Sequence, residues 1–105
     1  MINNELINPK SIVIVGGSND ISKIGGKILH NILKGNFQGN LHVINPREKE
    51  VQGINSVATP QDLPNVEMAI IALPAKFVKG YIETLAVQNN VKAFIVFSAG
   101  FSEMG

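Results

Sequence analysis

Short, uniformly apolar runs alternate along this chain with longer stretches in which apolar residues recur every three to four positions. Ser11–Val15 is β-branched and apolar on both faces, the pattern of a strand buried between two layers. It follows the turn Asn8-Pro9-Lys10 and stops abruptly at Gly16-Gly17. From Ile24 to Lys34 the residues Ile24, Ile28, Leu29, Ile32 and Leu33 share one helical face, and Gly35 is expected to end that helix as a left-handed cap. Residues 41–44 form a second strand, closed by Asn45-Pro46-Arg47 because proline cannot donate to a ladder. Residues 51–57 alternate loosely and read as a short edge strand. Thr59-Pro60-Gln61-Asp62 has the order of a helix start, with threonine as cap and proline at the first position, and Pro64 limits it to about one turn. Residues 68–73 are again apolar on both faces and end at Pro74. Ala75–Gln88 is predicted to be helical, with Phe77, Val78, Tyr81, Ile82 and Leu85 as its buried stripe. Asn89-Asn90 breaks it, and Ala93–Phe97 is the last strand.

This order predicts an α/β fold: a Rossmann-like doubly wound parallel sheet in a three-layer α/β/α arrangement. In such sheets ligands bind beyond the carboxyl ends of the strands, at the switch point. That rule selects residues 16–25, 45–49, 73–75 and 98–101 as the candidate site. The loop after the first strand brings backbone N–H groups to a positive helix end, which suits a phosphate. Gly16 and Gly17 make the turn, and Ser18 and Asn19 can add side-chain hydrogen bonds. The next glycine comes late, at Gly25 after Ile24, so the loop is longer than in a Gly-x-Gly-x-x-Gly fingerprint. A bulky residue at position 17 is expected to block the approach of phosphate while leaving the fold.

The second loop discriminates between ligands. NAD-binding domains place an acid at the end of strand two, whereas this chain has Asn45, Pro46 and Arg47, with Glu48 and Glu50 later. Arg47 and Lys49 favour an additional phosphate on a ribose, such as the 2′-phosphate of NADP or the 3′-phosphate of coenzyme A. Read as structure alone, residues 47–50 are a solvated, self-neutralising charge cluster. Leu73, Pro74, Ser98, Ala99 and Gly100 offer backbone groups and a narrow apolar wall, suited equally to a pantetheine arm or a nicotinamide ring. Catalytic machinery is absent from this pattern. His30 and His42 lie inside a helix and a strand, away from the ligand loops, and show no metal-ligand spacing.

Composition narrows the picture further. With 105 residues and 45% apolar content the chain has the size of one domain with a real core. A net charge of +1 provides no broad field for nucleic acid or an anionic membrane, and no run approaches the roughly 20 apolar residues of a membrane span. The chain has no cysteine, which removes disulfides, thiolate metal sites and cysteine nucleophiles and fits a cytoplasmic location. Residues 101–105 follow a strong strand with no closing helix, and residues 1–105 are expected to be a piece of a longer multidomain chain.

The ordered series Asn8-Pro9-Lys10-Ser11 through Gly16-Gly17-Ser18, then Lys23-Ile24-Gly25, Gly39-Asn40-Leu41-His42-Val43-Ile44-Asn45-Pro46, Gly53, Asp62-Leu63-Pro64, Ala69-Ile70-Ile71-Ala72-Leu73-Pro74-Ala75 and Ser98-Ala99-Gly100-Phe101-Ser102-Glu103 resembles the N-terminal CoA-binding domain of the NDP-forming acyl-CoA synthetases. The match is nearest to the acetate–CoA ligase (ADP-forming) group, whose relatives include the succinyl-CoA synthetase α subunit. The resemblance implies a reaction in which acyl-CoA, nucleoside diphosphate and phosphate interconvert with acid, coenzyme A and nucleoside triphosphate, through an acyl phosphate and a phosphohistidine carried by another domain. It implies coenzyme A as substrate, with ATP-grasp and phosphohistidine-bearing domains or subunits as partners. By matching position, Gly17, Ser18, Asn19, Ile24 and Gly25 hold phosphate. Pro46 with Arg47 or Lys49 meets the adenosine 3′-phosphate, and Leu73, Pro74, Ser98, Ala99 and Gly100 line the pantetheine arm. The residues alone leave open an NAD(P)-binding domain of a dehydrogenase or redox sensor, or a non-enzymatic CoA-binding regulatory module.

Overall fold

A computed structural model describes residues 9–98. Within them six strands form one sheet in the order β3-β4-β2-β1-β5-β6. The strands are β1 (Ser11–Val15), β2 (Asn40–Ile44), β3 (Glu50–Val51), β4 (Ile54–Val57), β5 (Met68–Ala72) and β6 (Ala93–Phe97). Helix α1 (Ile24–Lys34) connects β1 to β2, and α2 (Ala75–Gln88) connects β5 to β6. The pairs β1–β2, β1–β5, β2–β4 and β5–β6 are parallel, and only the two-residue β3 runs antiparallel, against β4. The expected Rossmann-like α/β architecture is the one observed.

Alternation along the central strands builds two cores. Val13, Val15, Ala69 and Ile71 pack with Val78 and Leu85 of α2 on one face. Ile12, Ile14, Met68 and Ile70 pack with Leu29 of α1 on the other. The period-2 geometry of a strand sends successive side chains to opposite faces, so a run without polar residues requires a helix on each side. The chain leaves β1 toward β2 and leaves β5 toward β6, which lie on opposite flanks of the β1–β5 pair. The crevice of the switch point therefore opens above the carboxyl ends of β1 and β5.

Several local expectations are corrected. Residues 51–57 are not one strand but a hairpin, because Gln52 (φ 50) and Gly53 (φ 86) both adopt the positive φ of a tight reversing turn. Gly35 ends α1 with φ −76, and the left-handed residue is Asn36, at φ 61. Thr59 makes no side-chain capping bond, and Pro60–Asp62 is a single 3-10 turn. Residues 68–73 end as a strand at Ala72, one residue early. Phe77 and Ile24, assigned to buried helical faces, are 48% and 46% exposed. Both lie in the first turn of their helices, and Phe77 borders a solvent-open cleft instead of the core.

Candidate functional site

Three strand ends supply the site: Val15-Gly16 from β1, Ile44-Asn45 from β2 and Ala72-Leu73 from β5. Gly16 has φ 89, and a Cβ there would overlap the carbonyl oxygen of Ala72, so only glycine lets the chain turn over the end of β5. Its N–H donates to the Ile44 carbonyl at 3.1 Å, which pins the turn to β2. The loop beyond is braced from within. Ser18 Oγ accepts the Asp20 N–H at 3.0 Å, and Asp20 Oδ1 accepts the N–H and the hydroxyl of Ser22 at 3.0 and 2.6 Å. These donors, the hydroxyl first, hold the Asp20 carboxyl below its ordinary value.

Asn45 ties this loop to the second one. Its Nδ2 donates to the Gly17 carbonyl at 2.9 Å, while its Oδ1 accepts the N–H groups of Arg47 and Glu48 at 2.8 and 3.0 Å. An asparagine that closes such a turn on its own backbone bends the chain so that Pro46, Arg47 and Glu48 border a cleft of about 520 Å³. Gly16, Gly17 and Ser18 form its floor, and Leu73, Phe77 and Tyr81 stand along the other side. Lys23, immediately before α1, also reaches it. Two cations, one carboxylate and the amino end of α1 give the cleft a net attraction for anions. The amides of Gly17 and Ser18 have no hydrogen-bond acceptor among the described residues.

The structure brings together Gly16, Gly17, Ser18, Asn45, Pro46, Arg47 and Leu73 of the residues assigned from sequence. Asn19, Ile24, Gly25, Lys49, Pro74 and Ser98 do not line this cleft, and Ala99 and Gly100 lie outside the described residues. Physical reasons separate several of these from a ligand. The Asn19 side chain is occupied by the β3–β4 hairpin, donating to the Glu50 carbonyl at 3.1 Å and accepting the Gln52 N–H at 2.7 Å. Gly25 serves packing, since a Cβ there would overlap the Gly16 carbonyl. Gly17 is buried and its missing Cβ points inward, 2.9 Å from Val43 Cγ1. A bulky residue at position 17 therefore strains the core, contrary to the expectation that the fold would be untouched. The sequence reading missed Lys23, Phe77 and Tyr81. Their signal was position: Lys23 and Phe77 stand at the start of helices that follow a strand's carboxyl end, and Tyr81 lies one turn beyond Phe77, at i+4.

His30 and His42 stand apart from the cleft lining, and burial holds the His42 imidazole below its ordinary value. Among the described residues no group of three metal-ligating side chains is assembled, and no helix is long and apolar enough to cross a membrane.

Comparison with known proteins now decides the family. A family model described as CoA binding domain matches residues 10–104. The chain belongs to this CoA-binding domain family. Among curated relatives of the domain, the acetate–CoA ligase (ADP-forming) II subunit alpha of Pyrococcus furiosus is 37% identical over 99 residues, which cover 93% of this chain and 21% of the relative. The acetate–CoA ligase (ADP-forming) II of Archaeoglobus fulgidus is 34% identical over 102 residues, covering 96% of this chain and 15% of the relative. A solved structure, the dinucleotide forming acetyl-coenzyme A synthetase 1 of Ca. Korarchaeum cryptofilum in its apo form, superposes with a TM-score of 0.86 at 38% identity, covering 97% of this chain and 22% of that one. The CoA-binding domain thus spans about a fifth or less of the length of these relatives.

Proposed function

We propose that the cleft above β1, β2 and β5 holds coenzyme A as the thiol substrate of an ADP-forming acyl-CoA synthetase. The observation that carries this reading is that Arg47 and Lys23 share one cleft with the Gly16-Gly17-Ser18 turn and with Leu73, Phe77 and Tyr81. Coenzyme A has the matching parts: a ribose 3′-phosphate, a pyrophosphate and an extended amide-bearing arm. In this reading the 16–18 turn receives phosphate oxygens on its backbone amides. Arg47 meets the 3′-phosphate, and Lys49, outside the cleft lining, does not. Leu73, Phe77 and Tyr81 flank the arm.

The role of these residues is to bind and orient. They would hold the adenosine end so that the thiol reaches an acyl phosphate formed elsewhere in the enzyme. By the family resemblance, the phosphohistidine and the ATP-grasp nucleotide site would lie in other domains or subunits; His30 and His42 stand apart from the cleft. A cytoplasmic location is consistent with such substrates.

Calorimetric titration with coenzyme A, 3′-dephospho-coenzyme A and NADPH tests this. Coenzyme A is expected to bind most tightly. Arg47 is exposed, so loss of the 3′-phosphate should weaken binding by the worth of a screened ion pair, about 0.2–1 kcal/mol, up to roughly fivefold in Kd. Tighter binding of NADPH than of coenzyme A would refute the proposal.

A further inference from the structure

Gln52 adopts a strained backbone conformation that its side chain holds in place. It is the first central residue of the β3–β4 turn, at φ 50, a position that favours asparagine, aspartate or glycine. Its Nε2 donates to the carbonyls of Ser18 at 2.7 Å and Gly26 at 2.9 Å. Its own N–H donates to Asn19 Oδ1 at 2.7 Å, and Asn19 Nδ2 returns a bond to the Glu50 carbonyl at 3.1 Å. The edge hairpin is thereby clamped to the glycine-turn loop and to the first turn of α1, although neither Gln52 nor Asn19 lines the cleft.

We propose that Gln52 is a positioning residue for the anion-binding turn, acting by fixing the orientation of the Ser18–Asn19 peptide plane, so that the Ser18 carbonyl stays turned away from the cleft that Ser18 lines. In a planar trans peptide the carbonyl and the N–H of the next residue point to opposite sides. Gln52 holds the Ser18 carbonyl, and Asn45 holds the Gly17 carbonyl. The N–H groups of Asn19 and Ser18 are therefore locked on the far side of each plane. A plane free to flip would present a carbonyl oxygen to an anion instead of a donor. The anion is a phosphate ester or pyrophosphate. Its identity rests on the coenzyme A reading above, whereas the clamp does not depend on it.

Two variants of the chain separate positioning from bulk stability. Gln52→Gly removes the side-chain amide, relieves the positive φ and keeps the backbone bond to Asn19. Gln52→Leu keeps the bulk and removes the donors. For Gln52→Gly the melting midpoint is expected within roughly 5 °C of the parent. Its Kd for coenzyme A should rise roughly fivefold to thirtyfold, the equivalent of re-ordering one backbone residue. The amide NMR resonances of Ser18 and Asn19 should broaden or double without ligand, and Gln52→Leu should show the same affinity loss and the same spectral change.

Unchanged affinity with unchanged Ser18 and Asn19 resonances overturns the proposal. Affinity lost only in proportion to a lowered midpoint overturns it as well, because that is the behaviour of a merely structural residue. If the parent chain takes up no coenzyme A while the variants loosen those two resonances, the clamp stands and the ligand assignment falls. If the parent takes up none and the resonances do not change, both fall.

Discussion

The same substitution, glycine to alanine, should have opposite effects in the two helices. At Gly25, the second residue of α1, an added Cβ would overlap the Gly16 carbonyl oxygen and lie 2.8 Å from its carbon and 3.4 Å from Gly17 Cα. Carbon atoms prefer about 3.5–4.0 Å, so close to an ångström must open against backbone. That backbone cannot yield easily, because Gly16 is held at φ 89 with its N–H on Ile44. Helix α1 must move instead. Overpacking of this kind costs about 1–3 kcal/mol, and the better helix propensity of alanine offsets up to about 1 kcal/mol of it. The net loss is then up to about 3 kcal/mol, and Gly25→Ala should melt lower, by up to roughly 20 °C. Gly80 lies inside α2 with nothing within 4 Å of its missing Cβ. Gly80→Ala should gain about 0.5–1 kcal/mol from reduced chain entropy, a rise of roughly 2–8 °C. Thermal melts followed by far-UV circular dichroism read both. A Gly25→Ala variant that melts above the parent, as Gly80→Ala should, would refute the close approach of α1 to the glycine turn.

Other outcomes follow from the same geometry. Asn89 is 1% exposed, and its Nδ2 lies within hydrogen-bond distance of the carbonyls of Pro60, Leu63 and Pro64; Asn89→Ala leaves these without their donor and should cost about 2–3 kcal/mol, with a midpoint shift under 3 °C, roughly half a kcal/mol, counting against it. Burial lowers the His42 pKa, so above about pH 6.5 the folded and unfolded chains are both neutral there. As pH falls through that value the unfolded chain takes the proton first, and stability declines until the folded imidazole also protonates. Melts at about pH 8 and pH 5.5 should therefore show a larger loss for the parent than for His42→Gln; equal losses would contradict this. Arg47→Ala should abolish the preference for coenzyme A over its 3′-dephospho form, and that preference should shrink in high salt; a preference that survives the substitution removes Arg47 from the phosphate.

Fold and site were legible to different depths. The central strands were readable because β1 and β5 are apolar at every core position, a pattern that only a doubly covered parallel strand explains. The edge was harder. The β3–β4 hairpin is short, and its turn is Gln-Gly instead of Asn-Gly, so the usual reversal signal was missing. The strand-end rule located the cleft, since it depends on topology and not on side-chain detail. What it could not give was the division of labour within each loop. Asn19, Asn45 and Gln52 are small polar residues suited to a ligand, yet their side chains bind the protein's own backbone. That choice is set by contacts 26 to 34 residues apart in sequence, which no local pattern encodes. Phe77 was misread for a related reason: its helical spacing is that of a core residue, but in the first turn of its helix it borders the cleft and is half exposed.

The most direct test is an amide chemical-shift map of the labelled chain titrated with coenzyme A. The account expects saturable shifts at Gly17, Ser18, Lys23, Arg47, Leu73, Phe77 and Tyr81, and none at Phe37 or Gly39 in a groove away from this cleft. Saturable shifts confined to other surfaces, or no shifts at millimolar coenzyme A, would contradict it.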